Sequence, residues 1–212
     1  MLKAPALAMS LLLALAAPAA ARSLGTLTGA WDSTGTRSVR VGFPVGELHI
    51  VESDGPEIRA ALTVRCPEGS RACEERSRRI KLITDREGAT RWLRVEGHSR
   101  LRDHGLKMEL RLEVPRGMAV NVEMGVGDCQ ISGVSGDLKV ELGIGDVEVS
   151  MREAIVHSVR ASVGIGDATL RHGGHSYDGS GFLGRKLHWL EGRGEGRVSV
   201  ELGIGDVDVR LN

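Results

Sequence analysis

The chain has 212 residues, with 28 Lys+Arg against 28 Asp+Glu, a formal net charge of zero and 41% hydrophobic residues. That length suits one domain with a proper core or two small lobes, and the balanced charge removes the electrostatic case for binding nucleic acid. Aromatics make up only 3% of residues while glycine numbers 29, so a core filled by large rings is excluded and narrow β layers packed through small branched side chains are expected.

The opening MLKAPALAMSLLLALAAPAAARS has a lysine near its start, an apolar run from Leu11 to Ala17 and the small triplet Ala19-Ala20-Ala21. This is the order of a secretory signal peptide, read here as residues 1–21. Its apolar run is too short for a spanning helix, which needs roughly 20 apolar residues, and no second long apolar segment follows. The expectation is an exported chain with no membrane-spanning segment after cleavage. Residues 22–37, rich in Gly, Ser and Thr, read as a flexible arm.

From residue 38 to 118 the sequence reads as an N-terminal strand region. SVRVGFPVGELHIVESDG, EIRAALTVRC, RIKLITD, TRWLRVEG and LKMELRLEVPRG alternate apolar and polar residues between Gly, Asp, Pro or charged clusters, the mark of strands with one buried face. Cys66 and Cys73 enclose PEGSRA, and an exported chain makes a local disulfide between them reasonable. The following run SRACEERSRRIK contains two glutamates among its basic residues and reads as a solvated face on a short helix.

Residues 119–212 carry a repeat. VELGIGDV occurs at 140–147 and again at 200–207, and VGIGDA begins at Val163. The apolar frame Leu138, Val140, Leu142, Ile144, Val147, Val149, Met151 recurs from Val198, from Val159 and from Val120. Strict alternation on each side marks strands, and the three-residue step between Ile144 and Val147 marks a bend that keeps both strands facing one core. The frame places Cys129 inward, as an inert small apolar residue.

The corner glycines are Gly125 and Gly127, Gly143 and Gly145, Gly164 and Gly166, and Gly203 and Gly205. Glycine allows positive φ at a tight corner, and the Asp that follows can bond nearby backbone N–H groups. The first glycines are spaced by 18, 21 and 39 residues, so the last interval has room for a degenerate copy near Gly181–Lys186. A period near 20 residues is the signature of a solenoid. The expected fold is therefore all-β: a parallel, β-helix-like solenoid with coils of about 20 residues after a strand-rich N-terminal part, continuous over 38–212. An antiparallel meander with GIGD as its hairpin loop is the alternative, and GELHIVESDG reads as an early echo of the corner.

GELHIVESDGPEIRAALTVR, LEVPRGMAVNVEMGVGDCQISGVSGDLKVELGIGDVEV and the closing VELGIGDVDV resemble a bacterial family of exported, adhesin-like β-repeat proteins carrying a domain of unknown function. The resemblance spans Val39–Asn212 and is lost at Gly173–Gly196. It implies a parallel β-helix-like fold, brings no catalytic residues, and points to the cell envelope, since related domains occur in proteins of envelope-stress regulation.

Asp128, Asp146, Asp167 and Asp206 are the candidate ligand residues. With coils stacked about 4.8 Å apart, neighbouring carboxylates repel by roughly 3.5 kcal/mol at an effective dielectric of 20. Backbone hydrogen bonds within each turn or bound Ca²⁺ can offset that. GIGDVE lacks the third glycine of a dinucleotide loop and the Gly-Lys-Ser/Thr of a phosphate loop, and a strand follows it, so no cofactor is expected. His172 and His175 are too few for a zinc site. The outward row Glu123, Glu141, Ser162 and Glu201 is an acidic strip without the aromatics of a sugar platform.

The function these features support is an exported, non-enzymatic, adhesin-like binding or structural module of the envelope, periplasmic or on the surface, with a glycan or a protein as partner. An envelope-stress sensor acting through a protein partner is the alternative. A carbohydrate-active β-helix enzyme is less favoured, because the acids recur at regular intervals and do not converge.

Overall fold

The computed structural model describes residues 21–98, 105–181 and 184–212. The expected leader lies, apart from Ala21, outside them. The described residues form fifteen strands, one short α-helix and one 3-10 turn at Glu153–Ile155. Two long strands, β2 (Ser38–Ser53) and β7 (Ala119–Ser132), run through a bend without interruption. In three further passes of the chain the same bend splits the strand into a pair: β8 (Leu138–Ile144) with β9 (Val147–Met151), β10 (Val156–Ile165) with β11 (Ala168–His172), and β14 (Gly196–Ile204) with β15 (Val207–Leu211).

These passes are rungs stacked in parallel and in register, in the order β2, β7, β8/β9, β14/β15, β10/β11. Each rung buries alternate residues on both limbs of the bend. In the rung of β8/β9 these are Leu138, Val140 and Leu142 before the corner and Val147, Val149 and Met151 after it. A buried Val or Leu contributes about 1.5–3 kcal/mol relative to exposure, so the alternation holds each rung against the core.

The remaining strands make the sheet mixed. β1 (Ala21–Asp32) pairs antiparallel with β3 (Glu57–Pro67), and β3 pairs antiparallel with β6 (Lys107–Pro115). β6 lies parallel to the second half of β2, while the hairpin of β4 (Lys81–Glu87) and β5 (Thr90–Glu96) attaches to its first half. At the far end β12 (His175–Asp178) and β13 (Arg185–Trp189) run antiparallel to β11 and β10.

This arrangement overturns the expected parallel solenoid. A solenoid sets consecutive coils on consecutive levels, whereas here the last rung of the chain inserts between the second and third copies of the repeat, and antiparallel strands close both ends of the order. The physical reason lies after β11. Gly173 and Gly174, at φ 56° and 79°, reverse the chain into a hairpin where a solenoid would advance it one level. The degenerate copy expected near Gly181–Lys186 is accordingly no rung, because Arg185–Trp189 form the antiparallel strand β13. The meander fails as well, since the corners join strands within rungs that lie parallel to their neighbours.

The N-terminal arm is corrected as well, while the early echo keeps its place in the repeat. Residues 22–32, expected in a flexible arm, pair along β3 as part of β1. The early echo is a full rung of the stack: Gly46 sits opposite Gly127, Glu47 opposite Asp128 and Leu48 opposite Cys129. The short helix is α1 (Arg71–Ser77), and it buries Cys73, which is bonded to Cys66 with Cα atoms 5.8 Å apart.

Candidate functional site

The corner explains why glycine is written twice in each copy. Gly145 has φ 134°, and a Cβ there would overlap the Gly127 carbonyl oxygen of the neighbouring rung. A Cβ at Gly143 would stand 2.5 Å from the Gly125 carbonyl oxygen. Gly125, Gly143, Gly203 and Gly164 form one row across the rungs, and Gly127, Gly145, Gly205 and Gly166 the next. Rungs approach this closely only where side chains are missing.

The aspartates of the corner bond across rungs. Asp146 Oδ1 accepts the Asp206 backbone N–H at 2.9 Å, and Asp206 Oδ1 accepts that of Asp167 at 2.8 Å. Asp167 ends the series and pairs with Arg185 at 3.2 Å. These carboxylates therefore occupy donors that the bend leaves without ladder partners. Among the described residues no group of three or more His, Cys, Asp or Glu side chains is placed to hold a metal ion, so Asp128, Asp146, Asp167 and Asp206 are not gathered round a common point.

One expectation about the corner is reversed. Val126, Ile144, Ile204 and Ile165, read from the repeat as inward-facing, are 44%, 48%, 45% and 67% exposed. The inward frame closes one residue pair earlier, at Met124, Leu142, Leu202 and Val163, all buried. The four aliphatic residues are in register across the stack, Val126 opposite Ile144, Ile144 opposite Ile204 and Ile204 opposite Ile165. They make an exposed apolar row along the corner.

Three residues earlier on each strand lies the acidic row, Glu123, Glu141, Glu201 and then Ser162, again in register. Between the two rows runs the first line of glycines. A groove of about 1280 Å³ follows this line, lined by Glu123, Glu141, Glu201, Gly125, Gly143, Gly203, Gly164 and Val126, with Phe43–Val45 and Arg94–Glu96 at one end.

Arg40 donates from Nε to Glu123 at 2.7 Å, and Lys139 Nζ lies 2.5 Å from Glu141. The Glu141 hydrogen bond, then the Glu141 charge and the more distant Glu201 and Glu123, hold the Lys139 ammonium above its usual range. Both pairs are about half exposed, where such bridges contribute little stability. Among the described residues no cation lies within ion-pair distance of Glu201. Near the end of the groove two guanidinium groups lie over the Trp92 ring, Arg40 at 4.6 Å and Arg94 at 4.2 Å from its centroid.

Cys129 is buried and unbridged, and burial pushes its thiol up to about 12. His172 faces Glu153 at 3.2 Å and stacks obliquely on Trp189, with ring centroids 5.0 Å apart, while His175 opposite it is exposed. Sequence reasoning found the acidic row and the glycines. It missed the apolar row, which has the same alternation as a buried face, and the contact of Arg40 with Trp92, residues far apart along the chain.

No protein-family model matches the chain, and no curated protein matches it. Among solved structures, a putative cell adhesion protein from Clostridium sporogenes is 13% identical with a TM-score of 0.53, over 90% of this chain and 100% of that one. At that identity the likeness shows a shared fold. A putative adhesin from Bacteroides fragilis, also 13% identical, covers 88% of this chain and 98% of its own, but its TM-score of 0.26 carries no argument. Among the described residues no helix is long and apolar enough to cross a membrane, which leaves β-barrel proteins aside.

Proposed function

We propose that this chain is an exported, non-enzymatic, adhesin-like binding module of the cell envelope, and that it binds through the groove at the glycine corner. The observation that carries the reading is the groove itself: a strip of glycines without side chains, banked by the carboxylates of Glu123, Glu141 and Glu201, with Val126 of the exposed apolar row lining it and the rest of that row lying along the same corner. An exposed apolar row on a rigid sheet costs solubility unless something covers it. The carboxylates stand about one strand spacing apart, roughly 4.8 Å, and two of the three are engaged by Arg40 and Lys139. That pattern suits recognition of an extended ligand better than acid–base work on one bond. The adhesion name of the fold neighbour and the leader-like N-terminus favour export and the envelope.

The test is retention of the purified protein on fixed bacterial cells. The double variant Ile144→Arg/Ile204→Arg, at exposed positions that leave the core intact, is expected to lose at least tenfold in retention. Equal retention of the variant, or none by the parent protein, would sink the reading.

A further inference from the structure

Among the described residues, four strands have a single partner strand: β1, β4, β12 and β13. A strand paired on one side only presents a row of unpaired backbone N–H and C=O groups to any strand that can lie beside it. Three of these edges carry the usual protection of charge or shortness. β4 has Lys81, Asp85, Arg86 and Glu87 among its seven residues, and β12 is four residues long and holds Asp178. β13 is five residues long and carries Arg185 and Lys186, and Lys186 exchanges backbone hydrogen bonds with Ser180.

β1 has no such protection. It runs for twelve residues against β3 alone, and from Ser23 to Trp31 it contains neither a charged residue nor a proline. Its register on β3 shifts between Ser23 and Gly25 and is regular from there to Asp32.

The flank that β1 leaves open belongs to the core. Gly25, Leu27, Gly29 and Trp31 stand opposite Val64, Leu62, Ala60 and Ile58, all buried, and residues opposite one another share a face of the sheet. Trp31 covers one end of this line: a Cβ at Gly29 would overlap its ring, and Arg91 lies over that ring at 5.9 Å. Leu27 is 41% exposed although Leu62 opposite it is fully buried.

The order of residues specifies the strand that fits there. Antiparallel pairing of β1 with its own copy, about a two-fold axis at Leu27, sets Leu27 against Leu27, Thr26 against Thr28 and Gly25 against Gly29. Core-facing residues then meet core-facing residues, and threonine meets threonine on the opposite face, a favourable cross-strand pair. A two-fold interface requires a patch that matches itself in this way.

We propose that the chain forms a two-fold homodimer by antiparallel pairing of β1 with β1 of a second copy, centred on Leu27. The two sheets become one, and each exposed Leu27 covers the other. The dimer is independent of binding at the glycine corner, which lies on other strands.

Sedimentation velocity of the purified protein over a range of concentrations tests it, with a reversible monomer–dimer equilibrium expected. Leu27→Lys and Leu27→Glu each set like charges directly opposite one another and are each expected to weaken the dimer at least about tenfold. An equimolar mixture of the two variants is expected to regain it, which also shows that both fold. Leu27→Cys is expected to form a disulfide-linked dimer on mild oxidation much faster than Glu148→Cys, an exposed position on β9. The native cysteines do not compete, since Cys66 and Cys73 are bonded and Cys129 is buried. A monomer at every concentration up to about 1 mM overturns the proposal, and so does a dimer indifferent to Leu27→Lys. Failure of the mixture to recover, or equal crosslinking of the two cysteine variants, overturns it as well, because Leu27 would then not meet its own copy.

Discussion

The two copies of VELGIGDV, 60 residues apart in the chain, lie side by side in the stack, while the looser copy at 163–168 forms its outermost rung. An interior rung meets another rung on each side through the same positions. Its valines and glycines are therefore held to one solution twice. The outer rung meets β14/β15 on one side only, and on the other it meets the antiparallel strands β12 and β13. There Leu187 pairs with Ala161 and Trp189 with Val159, so large side chains cover small ones. Ala161 and Ala168 stand where the interior rungs have Val200 and Val207. Similarity between copies thus follows adjacency in space more closely than order in the chain.

The sharpest way to break an interior rung is at its corner. Gly205 has φ 131°, and a Cβ there would overlap the Gly145 carbonyl oxygen, a backbone atom that cannot swing aside. Left-handed backbone costs a non-glycine residue about 1–2 kcal/mol before any overlap. Gly205→Ala is expected to lose about 3 kcal/mol or more, read as a lowered midpoint in urea.

Val200 offers a gentler break. It is buried between Val140 and Ala161, and Val200→Ala removes two methyl groups and leaves a cavity, at a cost of about 2 kcal/mol. The outer rung already carries the alanine that this change would introduce. Repeating the outer rung's solution inside the stack is expected to fail because β14 has rungs on both sides and no Leu187 or Trp189 to fill the space.

Cys129 tests burial within an interior rung by pH. Its thiol ionises at about 12 in the folded protein but near 8.5 when unfolded. The folded value is the raised one, so this contribution to stability is complete below the unfolded value and is lost as pH rises toward the folded one. The expected slope is about 1.4 kcal/mol per pH unit across that window. Cys129→Val, matching Val147 opposite it, is expected to abolish that slope while changing neutral-pH stability little.

Much of this was legible in the residues. Alternation placed the strands, and the pair of glycines placed the bends, because both follow from backbone geometry that every copy shares. The level of each rung was not legible. A period counts residues along the chain and does not record which rung lies beside which, so Gly173-Gly174, which send the chain back as a hairpin, read only as a lapse in the repeat. The apolar row was hidden for a related reason. Ile144 continues the alternation of Leu138, Val140 and Leu142, and only the closing of the core at Leu142 leaves it outside. At the site, the acidic row was readable, whereas the contact of Arg40 with Trp92 needed the parallel pairing of β5 on β2.

The smallest expected effect separates the two kinds of rung most cleanly. Asp146 and Asp206 each accept a backbone N–H from the next rung, while Asp167, in the outer rung, has only the exposed Arg185. Asp146→Ala leaves the Asp206 amide without its acceptor and is expected to cost about 1 kcal/mol. Asp146→Asn keeps an oxygen in place and is expected to recover most of it. Asp167→Ala removes only a surface pair and should stay within about 0.5 kcal/mol. Ca²⁺ and a chelator discriminate further in the same melts. If the carboxylates serve the backbone, neither shifts the midpoint of the parent protein; a Ca²⁺ shift abolished by Asp146→Asn would mean that the ladder binds the ion and that the amide bonds are secondary.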